Sequence, residues 1–280
     1  MVETTTSRSS PDYGNPPVVE TILGVQFERM AEFRNAHMGA FWKALDSTAW
    51  PRVSDAPLLP VQFEPCTKEA RWSKGVQVHV SQDPSSRLQI TNAAGDRMIQ
   101  LQNTRFHFNW LGQAGMPYPR YETVRVEFSD VYGRFLEFVR GEGLGELRPN
   151  QWEVTYLNHI PKGTVWREPN DWGFFQLLRG VPTIAGLIQG ESFGGNWTFC
   201  IPEERGRLHI QWQHGARSEP DEQELIVLTL TARGPLDGTK PDIASVLGGL
   251  DLGHLTIVQS FERLMSTNAN DYWELKNVNR

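Results

Sequence analysis

Residues 97–110 read RMIQLQNTRFHFNW, and the fold turns on how this run is divided. Apolar and polar residues alternate along it as in a strand, where successive side chains point to opposite faces. The apolar set nevertheless changes parity: Ile99 and Leu101 are odd, whereas Phe106, Phe108 and Trp110 are even. Such a shift sends every following side chain to the other face. Three devices produce it: a β-bulge near Gln102–Thr104, a move of the strand into a different sheet environment, or a turn at Gln102–Arg105 that makes two strands. Each sends Phe106, Phe108 and Trp110 to the core and leaves Arg105, His107 and Asn109 in a row on the opposite face. A solvated outer face is the expectation for polar parity. The alternative is a pocket or interface in which Arg105, His107, Asn109 and His159 bind a partner.

Upstream, PPVVETILGVQFERM (16–30) reads as a strand, with Val19, Thr21, Leu23, Val25 and Phe27 on one parity. AEFRNAHMGAFWKALD (31–46) has helical spacing through Phe33, Ala36, His37, Ala40, Phe41 and Ala44, and Trp50-Pro51 ends that segment. LLPVQFEP (58–65) and GVQVHVSQ (75–82) running into RLQIT (87–91) read as further strands. Asn92–Asp96 supplies a hairpin turn before the decisive run. Downstream, Val124, Phe128, Val131, Phe135 and Phe138 recur at three and four residues, an amphipathic helix that Gly141 and Gly143 close.

The same order then recurs. QWEVTYLNHIPKG (151–163) is a strand, and NDWGFFQLLRG (170–180) a short helix capped by Asn170 or Asp171. Strand-like runs follow at GLIQ (186–189), NWTFCIP (196–202), RLHIQWQH (207–214) and ELIVLTLTARG (224–234). LDLGHLTIVQSFERLMS (250–266) makes a last helix beginning near Asp251. The pattern predicts an α+β protein of two similar halves, each strand, helix, antiparallel strands, helix, with helices packed on one sheet face. That order resembles helix-grip or TATA-binding-protein-like folds, a likeness of architecture without function. The expected division is a disordered lead-in over 1–15, a first half over 16–145 and a second over 146–280, the halves forming one unit.

The chain has 280 residues and a formal charge of −6, which argues against a general phosphate-tracking surface and so against nucleic acid. Two cysteines make no disulfide framework, and no apolar run approaches the roughly 20 residues that span a bilayer. The start of the chain lacks the apolar core of a signal peptide, so the expected location is the cytoplasm, with no membrane partner.

Candidate chemistry is sparse. Gly190–Gly194 matches the GxSxG elbow around Ser192, and Asp237, Asp242 or Asp251 with His254 complete the hydrolase order. The elbow needs a helix directly after the serine, whereas GGNWTFCIP reads as a strand, so a glycine-rich loop is the better reading. None of the seven histidines has metal-ligand spacing, and no catalytic residue, metal or cofactor is expected. His254, on the apolar side of the last helix, is expected to be buried, neutral and hydrogen-bonded to a neighbouring strand. LGGLDLGH (247–254) is glycine-rich but follows no strand of a dinucleotide-binding unit.

PPVVETILGVQF, IQLQNTRFHFNW, YPRYE, VTYLNHI and LDLGHLTIVQSFERLMS occur in this order. The ordered set resembles a sporadically distributed family of uncharacterised prokaryotic proteins. That resemblance implies a mobile locus of defence or toxin–antitoxin type, and supplies no reaction or site residues. The preferred expectation is a non-catalytic accessory or neutralising protein that binds another protein, such as one encoded nearby. The alternative is a small-molecule binder or enzyme with a pocket between the curved sheet and a helix.

Overall fold

The parity change at 102–105 is a hairpin. Strands Arg97–Gln102 and Arg105–Leu111 pair antiparallel with Gln102 opposite Arg105, so only Asn103 and Thr104 lie between them. Paired residues share a face, which converts even parity into odd without a bulge. Neither Asn103 nor Thr104 has positive φ, so the Asn-Gly signal of a two-residue turn is missing from the sequence. The turn is held by its neighbours: Phe27 N donates to Thr104 O, and Met30 N to Asn103 O.

The computed structural model describes residues 10–62, 64, 86–113, 115–169, 171–178, 191–217, 222–236 and 242–276. In chain order the elements are β1 (Asp12–Tyr13), β2 (Val18–Phe27), α1 (Asn35–Ala44), β3 (Arg52–Ala56), β4 (Arg87–Thr91), β5 (Arg97–Gln102) and β6 (Arg105–Leu111). They continue with α2 (Tyr121–Gly141), β7 (Pro149–Pro161), β8 (Gly194–Ile201), β9 (Gly206–Ala216) and β10 (Glu224–Pro235). The last are α3 (Ile243–Leu264), α4 (Thr267–Tyr272) and β11 (Leu275–Lys276). The chain is therefore α+β. Among the described residues, nine strands form one antiparallel sheet in the order β3-β4-β5-β6-β2-β7-β10-β9-β8, and β1 pairs with β11. The sheet is continuous across residues 145–146, because β2 and β7 pair side by side at its centre.

One sheet face carries the helices. Phe106, Phe108 and Trp110 are buried there as expected, with the Phe106 ring 5.3 Å from Phe135 and 6.0 Å from Phe128 of α2. α3 lies over β7 and β10. Its close approach depends on Gly249 and Gly253: a Cβ at these positions would stand 2.3 and 2.8 Å from the Trp152 indole. The glycines of LGGLDLGH are thus a seat for Trp152, which is fully buried.

Several sequence expectations are corrected. α3 begins at Ile243, capped by the Asp242 side chain on Ser245 N, and not near Asp251; the glycines that mask its start are packing residues. The described part of 170–180 forms only a three-residue 3-10 turn at Gln176–Leu178. Residues 58–62 and 64 form no strand, whereas β3, exposed at every residue but Ala56, does. Residues 10–15 are ordered, because Tyr13 is buried and its hydroxyl donates to Asn270 Oδ1 at 2.8 Å. Strand expectations at 75–82 and 186–189, and the Asn170 cap, lie outside the described residues. Among the described residues, no helix is long and apolar enough to cross a membrane.

Candidate functional site

The polar row of β6 is buried, not solvated. Arg105, His107 and Asn109 are 5%, 3% and 0% exposed. The cover comes from residues 57–62 and 64, which cross this face without forming a strand. Arg105 Nη2 donates to Pro60 O at 3.2 Å and to Gln26 Oε1 at 2.9 Å. Asn109 donates to Glu20 and accepts from Gln100.

Strand register brings His107 and Glu153 either side of Gly24. A Cβ on Gly24 would stand 2.6 Å from His107 Cδ2, so the bare backbone lets the imidazole lean across β2. His107 Nε2 then lies 3.6 Å from Glu153 Oε1. Glu153 also meets Arg233 Nε at 3.1 Å. Burial pushes the His107 pKa down to about 3, Arg105, Arg87 and Arg233 add to that, and Glu153 opposes it. Burial would raise the Glu153 carboxyl, but Arg233, His107 and Arg105 outweigh it and hold it below the ordinary range. At neutral pH the layer is a neutral imidazole beside an ionised carboxylate clamped by arginine.

His159 does not join this cluster. It shares the face of Glu153 but sits further along β7, half-buried opposite Val227. Burial lowers its pKa, with Arg217 adding to the effect.

The other sheet face holds a cavity of about 290 Å³, between β7 and β10 below and α2 and α3 above, roofed by residues 10–18. Its floor and wall are apolar at Leu230, Ile257, Val258 and Phe261. Its polar groups form a chain: Tyr118 OH donates to Tyr156 OH at 3.3 Å, and Tyr156 OH lies 2.7 Å from His254 Nδ1. The Tyr121 ring stacks on His254 at 3.9 Å with planes 1° apart. Tyr121 OH donates to Asp251, which also takes two hydrogen bonds from Arg125.

Burial pushes the His254 pKa down to about 4, against Asp251, and raises the Tyr156 phenol well above its ordinary value. The neutral imidazole therefore accepts from Tyr156 at Nδ1 and carries its proton on Nε2. That nitrogen meets no hydrogen-bond partner among the described residues. Asp12 and Arg120, two charged lining groups, pair at 2.7 Å. Arg120 itself adopts φ 74°, ψ 154°, a strained conformation for a residue with a side chain. Such strain is held by its surroundings and clusters at functional sites.

The chain matches no protein-family model and no curated protein. His254 is neutral and bonded to a strand residue as the sequence predicts, but it is half-buried rather than buried and lies in mid-helix rather than near a helix start. Ser192 is exposed, precedes strand β8 rather than a helix, and makes no side-chain hydrogen bond to a described residue. Arg105, His107 and Asn109 do not line the cavity between sheet and helix. Sequence reasoning missed Tyr118, Tyr121 and Tyr156 there. Tyr121 and Tyr156 each put a hydroxyl on an otherwise apolar stripe or parity, whereas Tyr118 lies in the loop before α2 and gives no such signal.

Proposed function

We propose that this chain binds a small, uncharged, ring-bearing molecule in the cavity between its sheet and helices α2 and α3. The carrying observation is the hydroxyl–imidazole chain Tyr118–Tyr156–His254 opening onto apolar walls. An apolar cavity with a few convergent polar groups is the usual form of a small-molecule site. Charge on the ligand is disfavoured, because Asp12 and Arg120 neutralise each other, His254 is neutral and Glu122 lies exposed. The His254 Nε2 proton supplies a donor for a carbonyl or ring nitrogen. The role is non-catalytic binding: a phenol with a raised pKa and an imidazole with a lowered one are both poor proton carriers at neutral pH. Native mass spectrometry tests the reading. A small-molecule adduct on the wild-type protein, absent from Val258→Trp, supports it; equal adducts on both contradict it.

A second reading, a non-catalytic partner-binding accessory protein of a mobile prokaryotic locus acting in the cytoplasm, is favoured by the sheet edge. Among the described residues β8 pairs only with β9, and it presents Phe199 at 43% exposure. An open edge of this kind accepts an added strand. Pull-down with the products of neighbouring genes, using wild type and Phe199→Ser, tests it. The internal duplication inferred from the sequence is supported by strand order: β2 pairs with β6 and β7 with β10, so each half closes its first strand in the large sheet onto its last strand in that sheet.

A further inference from the structure

The floor of the cavity carries one side chain that apolar packing does not explain. Trp152, Val154, Tyr156 and Ile160 of β7 are buried toward the helices, and Asn158 shares their parity. Its register partners are Val18 of β2 and Leu228 of β10, so it stands inside the sheet and not at an edge. Asn158 is only 4% exposed and lines the cavity. An amide in such a place is costly unless its hydrogen bonds are made.

Two main-chain carbonyls settle which way this amide points. Asn158 Nδ2 donates to Leu228 O at 3.0 Å and to Tyr156 O at 3.4 Å. Only the amide nitrogen can donate to a carbonyl, so Oδ1 is turned away from both. Among the described residues that oxygen accepts no hydrogen bond. Unlike the Tyr132 hydroxyl, which is sealed in the protein without a partner, it is open to the cavity.

The helix side supplies the complementary group. Tyr156 OH occupies His254 Nδ1 at 2.7 Å, so the neutral imidazole presents its proton at Nε2. The cavity therefore sets an acceptor on β7 against a donor on α3. Tyr156, which carries the His254 contact, and Asn158 are two residues apart on one strand face, a separation of roughly 7 Å. A volume of about 290 Å³ lies at the small end for ligand sites and suits one or two fused rings.

We propose that the cavity selects neutral planar N-heterocycles of nucleobase type, which offer a ring nitrogen or carbonyl to His254 Nε2 and an N–H to Asn158 Oδ1. The inference rests on the reading of the cavity as a small-molecule site and narrows it from any uncharged ring to one bearing both groups. A ring without the N–H leaves the Asn158 oxygen desolvated and unpaired, and that penalty makes the selection.

Calorimetric titration of four two-ring probes of one shape into the full chain at neutral pH tests it. Benzimidazole carries both groups, indole only the N–H, benzoxazole only the ring nitrogen and benzofuran neither. Wild type is expected to bind benzimidazole at least about tenfold tighter than indole or benzoxazole. In Asn158→Leu the advantage over benzoxazole should disappear while the advantage over indole stays. A smaller advantage in either wild-type comparison, or an N–H advantage that persists in the folded variant, overturns the inference. If all four bind alike, the selection falls and the small-molecule site stands; heat from none of the four overturns both. Should thermal melting show Asn158→Leu unfolded, the wild-type series alone decides.

Discussion

His107 Nε2 reaches to 3.6 Å from Glu153 Oε1 over the bare backbone of Gly24, although β2 separates the strands that carry them. That contact sets a neutral imidazole of one half of the sheet beside an ionised carboxylate of the other. Gly24→Ala should therefore push the imidazole out of its place. A loss of about 1–3 kcal/mol in urea unfolding is expected for such overpacking. An unchanged midpoint would show that the ring has room to move.

Glu153 is a buried anion that offsets Arg233 and Arg105. Glu153→Gln removes the charge and keeps the shape, leaving two buried guanidinium groups less compensated. Breaking a buried pair from one side costs about 3–5 kcal/mol. A double-mutant cycle with Arg233→Gln should recover part of that loss; strict additivity of the two losses would contradict the coupling.

His254 makes stability depend on pH in a definite direction. Its folded pKa of about 4 lies below the ordinary 6.5, so between these values the unfolded chain binds the extra proton. The contribution is fully present above pH 6.5 and is lost as pH falls toward 4, amounting to roughly 3 kcal/mol at most. His107 adds a loss of the same sign that extends toward pH 3. His254→Gln, which keeps an acceptor for Tyr156, should flatten the stability–pH slope in this window by about one proton. An unaltered slope would mean that His254 is already charged in the folded protein.

Much of the fold was legible because it depends on local periodicity. The parity of β2, the stripe of α2 and the inward turn of Phe106, Phe108 and Trp110 follow from spacing alone. The start of α3 was hidden because Gly249 and Gly253 read as helix breakers, when each is a close approach to Trp152. The polar row was legible as a row but not as buried, since its cover is supplied by residues some forty positions upstream whose pattern reads as a strand of the sheet, whereas those described cross the face without forming one. The cavity was illegible for the same reason. Tyr118, Tyr156 and His254 come together only through the β2–β7 pairing and the placement of α3.

Tyr156 joins the two ends of the cavity's hydroxyl–imidazole chain. Tyr156→Phe leaves His254 Nδ1 and the Tyr118 hydroxyl without their shared partner, at a cost of about 1–3 kcal/mol of stability. Thermal melting should show that loss with the fold retained. The tautomer of His254 should also cease to be fixed, visible as averaged imidazole nitrogen shifts by NMR.

The most direct test of small-molecule binding is calorimetric titration of four uncharged ring compounds, phenol, indole, nicotinamide and purine, into wild type and Val258→Trp. The indole introduced at position 258 would fill the space between α3 and the sheet. Binding of at least one compound to wild type at a single site is predicted, weakened at least about tenfold in a folded Val258→Trp protein. Equal affinity in both proteins, or no heat from any of the four, would contradict it.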